Sequence, residues 1–130
     1  MLHQYLYIST APDLSIEDVE AITGSSARKN PTSNITGFLI YNGRNFLQLL
    51  EGEPADLNAL MRRIGEDPRH TGLSMLYSGQ IDRRVCTSWG MKRITISDRI
   101  AERQDRLMRE LPEGLDEVVE KIVLNFAVLN

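Results

Sequence analysis

Hydrophobic and polar positions alternate from His3 to Ser9, with Tyr5 and Tyr7 in phase, and this period of two predicts a strand. Pro12 and Asp13 interrupt it. Ser15 is placed to cap a helix, and Asp18 three residues on forms an imperfect capping box. Leu14 and Val19 stand at hydrophobic-staple positions, and Ile16, Val19, Ile22 and Ser26 share one face. A residue before proline avoids the helical region, so Asn30-Pro31 predicts a helix end at Lys29 or Asn30. Residues 35–41 form a second predicted strand. Asn42-Gly43 then predicts a type I′ hairpin into a third, antiparallel strand over 45–51. Pro54 opens a second helix whose Leu57, Leu60, Met61 and Ile64 recur at i, i+3, i+4 and i+7, and Asp67-Pro68 ends it. Residues 73–78 and 91–96 read as two more strands, the last following a loop that holds Trp89. Ser97 begins a helix with Ile100, Leu107, Met108 and Leu111 on one side. After Pro112 and Gly114, a final helix carries Leu115, Val118, Val119, Ile122, Val123 and Phe126.

The order is βαββαββ, whose first six elements are those of a ferredoxin-like α+β fold. It predicts a five-stranded mixed sheet with two helices on one face. The C-terminal helical pair then covers the other face or makes an oligomer contact, because strands this apolar need cover on both sides. The length of 130 residues fits one domain with a real core. A net charge of −3 gives no nucleic-acid footprint. No apolar run approaches the roughly 18 residues of a membrane span, and no secretory leader is recognisable. Cys86 is the single cysteine, so there is no intramolecular disulfide, and a reducing cytoplasm is the simplest compartment. His3 and His70 lack ligand spacing, so no metal site is expected. The charged run from Arg99 to Arg109 reads as a solvated helix face.

The residue out of place is Gln48. It shares a strand face with Phe46 and Leu50, and a buried amide without partners costs about 1–3 kcal/mol. In a ferredoxin-like sheet the first and third strands are neighbours, so Tyr7 can lie across from Gln48 and bond to it. Asn30, at the end of the first helix, can face the same cavity. A Gln–Tyr pair that merely satisfies itself in a core explains this pattern. So does a binding site for a planar heteroaromatic, which needs neutral donors and acceptors at its rim and aliphatic side chains such as Ile22 and Ile64 on its faces.

The stretches "YIST", "ARKNPTSNITGFLIY", "FLQLLEG", "EDPRH" and "WGM" occur in order from about Leu2 to Ile94, and together they resemble the BLUF domain, a blue-light sensor using flavin. The resemblance implies a flavin-binding domain over residues 1–96 and a C-terminal helical extension of that domain over 97–130, as in short single-domain members. It makes Tyr7 the photoactive tyrosine, Gln48 the switching glutamine and Asn30 the asparagine at the ring edge. Ser26 matches a polar residue near the ring, while Ile22 and Ile64 match the residues packing its faces. Phe46 and Lys29 join the implied flavin contacts, Lys29 at a position where members vary. Arg69 and His70 match positions near the flavin's side chain or phosphate end. Met91 and Trp89 become the relay out of the site, as alternative neighbours of Gln48. Pro31 departs from a commonly polar position beside Asn30.

The implied cofactor is FAD, with FMN or riboflavin as alternatives. The implied function is a non-enzymatic photoreceptor that signals to an unidentified downstream protein or through a homo-oligomer. Two other readings compete: a flavin-free oligomerisation module and a small enzyme on the same fold. A phosphatase would want an anion cradle and an arginine near the first strand, and "STAPD" has neither glycine nor arginine.

Overall fold

A computed structural model describes residues 1–69, 71–87, 89–96 and 99–129. Its elements are β1 (His3–Thr10), α1 (Ile16–Lys29), β2 (Thr36–Tyr41), β3 (Asn45–Gly52), α2 (Pro54–Glu66), β4 (Thr71–Gln80), β5 (Lys92–Ile94), α3 (Arg103–Glu110) and α4 (Glu117–Leu129). Short 3₁₀ turns at Asn30–Ser33 and Ile100–Glu102 follow α1 and precede α3. The strand order is β4-β1-β3-β2-β5. All neighbours are antiparallel except β2 and β5, so the sheet is mixed and ferredoxin-like with a fifth strand added beside β2.

The two faces of the sheet carry separate cores. Tyr7, Leu39, Phe46 and Leu50 pack under Val19 and Ile22 of α1 and Leu57 of α2. Leu6, Phe38, Ile40, Leu47 and Leu49 face the other way, under Leu107 of α3 and Val119, Val123 and Phe126 of α4. This alternation follows from the side-chain period of two along β1, β2 and β3. Among the described residues no helix is long and apolar enough to cross a membrane.

Local chemistry explains most boundaries. Ser15 accepts from the Asp18 amide at 3.0 Å, while the Asp18 carboxylate accepts from the Ser15 amide at 3.1 Å, so the capping box is complete despite the shorter acid. Pro54 occupies the first turn of α2, and Asp67 caps its end. Gly37 is required by close approach: a Cβ there would lie 2.0 Å from the Leu49 carbonyl oxygen.

Several expectations need correction. Asn30 keeps right-handed helical dihedrals (φ −59°, ψ −40°) although Pro31 follows, because the chain tightens into a 3₁₀ turn after α1. In the β2–β3 hairpin only Gly43 has positive φ (+94°) and Asn42 does not. The turn therefore centres on Gly43-Arg44 with the φ pattern of type II′, and the Asn42 carboxamide oxygen accepts from the Arg44 and Asn45 amides. Ile16 lies off the buried face of α1 and is 65% exposed. Ile100, Met108 and Val118 are likewise exposed, so the C-terminal helices bury narrower stripes than expected. β4 extends beyond 73–78 because it pairs along nearly all of β1, through two register breaks. β5 shrinks to three residues. The expected helix start at Ser97 lies outside the described residues.

Candidate functional site

A partly open cavity of about 190 Å³ lies between α1, α2 and the β1–β3 part of the sheet. Tyr7 and Gln48 form its floor. They are direct cross-strand partners on β1 and β3, and both are buried. Ile22, Ser25, Ser26, Lys29 and Asn30 line it from α1 and its end, and Leu60, Arg63 and Ile64 from α2. Asp67 and Arg69, just beyond α2, complete the lining.

The floor is a short hydrogen-bonded chain. The Tyr7 hydroxyl donates to Gln48 Oε1, and Gln48 Nε2 donates to the Met91 thioether sulfur at 3.6 Å. Burial, and secondarily the Asp67 carboxylate, push the Tyr7 phenol well above its ordinary pKa, so it is neutral across the physiological range. Asn30 is 3% exposed and donates from Nδ2 to the Gly90 carbonyl at 2.7 Å. Its carboxamide therefore joins the end of α1 to the segment before β5. At the exposed mouth, Arg69 makes a forked pair with Asp67, Nε to Oδ1 at 3.0 Å and Nη2 to Oδ2 at 2.6 Å, which holds the guanidinium above its usual pKa.

Of the residues singled out from the sequence, the cavity brings together Tyr7, Ile22, Ser26, Lys29, Asn30, Gln48, Ile64 and Arg69. Phe46 is buried on the same sheet face, but its ring packs 4.6 Å from that of Tyr41 and it is not among the residues lining the cavity. The strand reaches two residues past the cavity floor there, so sharing a face is not sharing the site. His70 lies outside the described residues. Met91, not Trp89, contacts Gln48. Trp89 packs against the core under α3 and α4, with the Lys92 ammonium 4.3 Å from its ring centre. Sequence reasoning missed Ser25, Leu60, Arg63 and Asp67 as cavity residues. Leu60 had the signal, through its helical phase with Ile64. Asp67 was legible only as a helix stop.

The donor set suits a flat polar-edged ring. Neutral amide groups of Asn30 and Gln48 line the cavity, and Ile22 and Ile64 are aliphatic walls from two helices. The volume is below the roughly 300 Å³ at the small end of ligand pockets. A tricyclic ring would require the exposed Lys29, Arg63 and Arg69 side chains to move outward.

Comparison with known proteins agrees with this chemistry. The family described as "Sensors of blue-light using FAD" matches residues 2–92. The blue light- and temperature-regulated antirepressor BluF of Escherichia coli is 31% identical over 102 residues, covering 78% of this chain and 25% of that protein. The structure of Klebsiella pneumoniae BlrP1 with FMN and cyclic diGMP superposes with a TM-score of 0.85 at 26% identity, over 98% of this chain and 34% of that one. The dark-state structure of BlrB, a BLUF protein, superposes with a TM-score of 0.76 at 28% identity, over 99% of this chain and 97% of BlrB. The chain thus spans about a quarter of the antirepressor and a third of BlrP1. On this footing the chain belongs to the BLUF family, the sensors of blue light using FAD.

Proposed function

We propose that this chain seats FAD between α1 and α2, responds to blue light through Tyr7 and Gln48, and passes the change first to the segment around Met91. The observation that carries this reading is the buried chain from the Tyr7 hydroxyl through the Gln48 amide to the Met91 sulfur, with Tyr7 and Gln48 lining a cavity. A bound flavin supplies blue-light absorption and an excited state that accepts an electron. Tyr7 is a neutral phenol already bonded to an acceptor, so its proton has a place to go if its electron is withdrawn. Gln48 has two arrangements of comparable quality. In the present one its oxygen faces Tyr7 and its NH₂ spends one donor on sulfur, a weak acceptor. Half a turn of the amide re-aims a donor toward Tyr7 and releases the contact with Met91, while the imidic tautomer moves one proton from the nitrogen to the oxygen facing Tyr7. Little is lost at the sulfur, so the balance is set by what Tyr7 donates or accepts. That is the bistable element a switch requires.

Lys29, Arg63 and Arg69 outnumber Asp67 at the mouth, which favours a flavin carrying phosphate and so FAD or FMN over riboflavin. The family description favours FAD. Residues 1–96 are read as the flavin-binding part. Residues 97–130 are read as an extension of the same domain, since α3 and α4 bury Leu107, Val119, Val123 and Phe126 on the sheet. The exposed Ile100, Met108 and Val118 support self-association, or a downstream protein docking on this extension. The buried, reduced Cys86 fits a cytoplasmic setting.

The test is absorption in the dark and under blue light. The wild type binds flavin and shows a small reversible red shift. Gln48→Ala and Tyr7→Phe keep the flavin and lose the shift. A normal light cycle in Gln48→Ala overturns the assignment of Gln48.

A further inference from the structure

β3 carries a second buried polar residue that the light response above does not use. Glu51 is fully buried, three residues beyond Gln48 and on the opposite face of the sheet. Its carboxylate accepts four hydrogen bonds. Oε1 takes the Thr36 hydroxyl at 3.0 Å and the Cys86 amide at 2.9 Å. Oε2 takes the Gln4 carboxamide at 3.1 Å and the Val85 amide at 2.9 Å. Arg84, one residue before Val85, donates to the Glu51 backbone carbonyl and to the Thr36 hydroxyl, both at 2.9 Å. A buried carboxylate is costly, and here neutral donors from β1, β2 and the loop after β4 compensate it.

The geometry matters because of where that loop goes. The described residues 85–87 and 89–91 are held by β3 on both sides: by Glu51 at Val85 and Cys86, and by Gln48 at Met91. Between these grips, Gly37 donates to the Trp89 carbonyl at 2.9 Å and Asn30 to that of Gly90. At the Glu51 end, the Val85 side chain reaches the connection between α3 and α4: a Cβ on Gly114 would lie 3.4 Å from Val85 Cγ1. Gly114 itself has φ +88°, a conformation that favours glycine.

We propose that Glu51 is a positioning residue for the light response, the fixed anchor of the Val85–Met91 segment. When Gln48 releases or regrips Met91, the loop turns about the backbone amides held by this anchor, and the Val85 side chain turns against the α3–α4 connection. Without the anchor, the same movement at Met91 is absorbed within the loop. The inference rests on the proposed response of Gln48, and it deepens that reading by assigning where the signal is directed.

Glu51→Gln is the direct test. A carboxamide must aim its NH₂ at one of the two donor pairs, so either the Val85 or the Cys86 amide loses its acceptor. The full-length chain loaded with FAD is followed by absorption and by hydrogen exchange, dark and lit. In the wild type, light changes exchange in residues 89–91 and in 111–116. Glu51→Gln keeps the red shift, because Tyr7 and Gln48 lie on the other face. Its Val85 or Cys86 amide exchanges about tenfold faster in the dark, the order expected for a lost net hydrogen bond. The dark exchange of 111–116 is unchanged, but the light-dependent difference there is lost. Thr36→Val, which removes one donor from Oε1, gives the same separation in weaker form and carries the test if Glu51→Gln does not fold. A light-dependent difference of wild-type size at 111–116 in the folded variant overturns the inference, as does its absence in a wild type that shows the red shift. A wild type with no red shift at all instead overturns the reading of Gln48 on which it rests.

Discussion

The bond between Tyr7 and Gln48 makes a prediction that can be read from stability before any light is used. Both side chains are buried, Tyr7 completely and Gln48 to 7% exposure, and the hydroxyl donates directly to the amide oxygen. Tyr7→Phe leaves that oxygen buried without its donor. Gln48→Leu leaves the hydroxyl buried without its acceptor. Each orphaned group costs about 1–3 kcal/mol, whereas replacing both partners by apolar groups of similar shape is close to neutral. The two single substitutions should therefore each destabilise by about 2 kcal/mol, and the double variant should recover most of the summed loss, a coupling of about 3 kcal/mol. Urea unfolding of the flavin-free chain measures this. With a slope of about 1–3 kcal/mol per molar, each single variant lowers the midpoint by about 1 M and the double returns toward the wild type. The flavin-free form is the right one, since bound ligand adds its own mass-action term. If the double variant falls by the sum of the singles, the two groups are not partners, and the switch built on them fails as well.

The buried acids set the alkaline limit. Burial raises the Cys86 thiol and the Tyr7 phenol above their ordinary values, so the folded chain holds protons that the unfolded chain releases. Their stabilisation is complete below the unfolded pKa values, about 8.5 for cysteine and 10 for tyrosine, and is lost as pH rises through those values toward the folded ones. Thermal melting should thus worsen from about pH 8.5, with up to about 1.4 kcal/mol per pH unit for each group, and Cys86→Ala should delay the onset toward pH 10. Onset at the same pH in both proteins rejects this. Gly90→Ala would put a Cβ 2.9 Å from the Ala27 carbonyl oxygen and 3.2 Å from the Pro31 ring, neither of which can move aside easily. A loss of about 1–3 kcal/mol in chemical unfolding is expected, and a neutral result would mean the seam between α1 and β5 is looser than it is drawn. Ser15→Ala removes half of the capping box and should cost about 1 kcal/mol, while Ser15→Asp should not; equal stability of all three would exclude a capping role.

Local chemistry written into the chain determined its elements. Ser15 and Asp18 specify the start of α1 because an N-cap acts within one turn, and the Leu57–Ile64 spacing and the alternation around Tyr7 specify buried faces because side-chain periodicity is a local property. The amide planted among Phe46, Leu47, Leu49 and Leu50 marked the site, since a buried polar group needs a partner wherever the chain goes. The element order implied the neighbourhood of β1 and β3, and so the pairing of Tyr7 with Gln48. Tertiary structure decided the rest. Whether Phe46 lines the cavity depends on where α1 and α2 cross the sheet, which no single segment encodes. Met91 and Trp89 are two residues apart, and only the path of the loop around β2 decides that one meets Gln48 and the other the opposite core. Asp67 and Arg63 became cavity residues because the end of α2 meets the end of α1 in space. In the sequence Glu51 is only the last residue of the predicted third strand. Its role exists only because β1, β2 and the loop after β4 each bring a donor to the same carboxylate, and hydrogen bonds across 15 to 47 residues of sequence are settled by packing and not by any pattern along the chain.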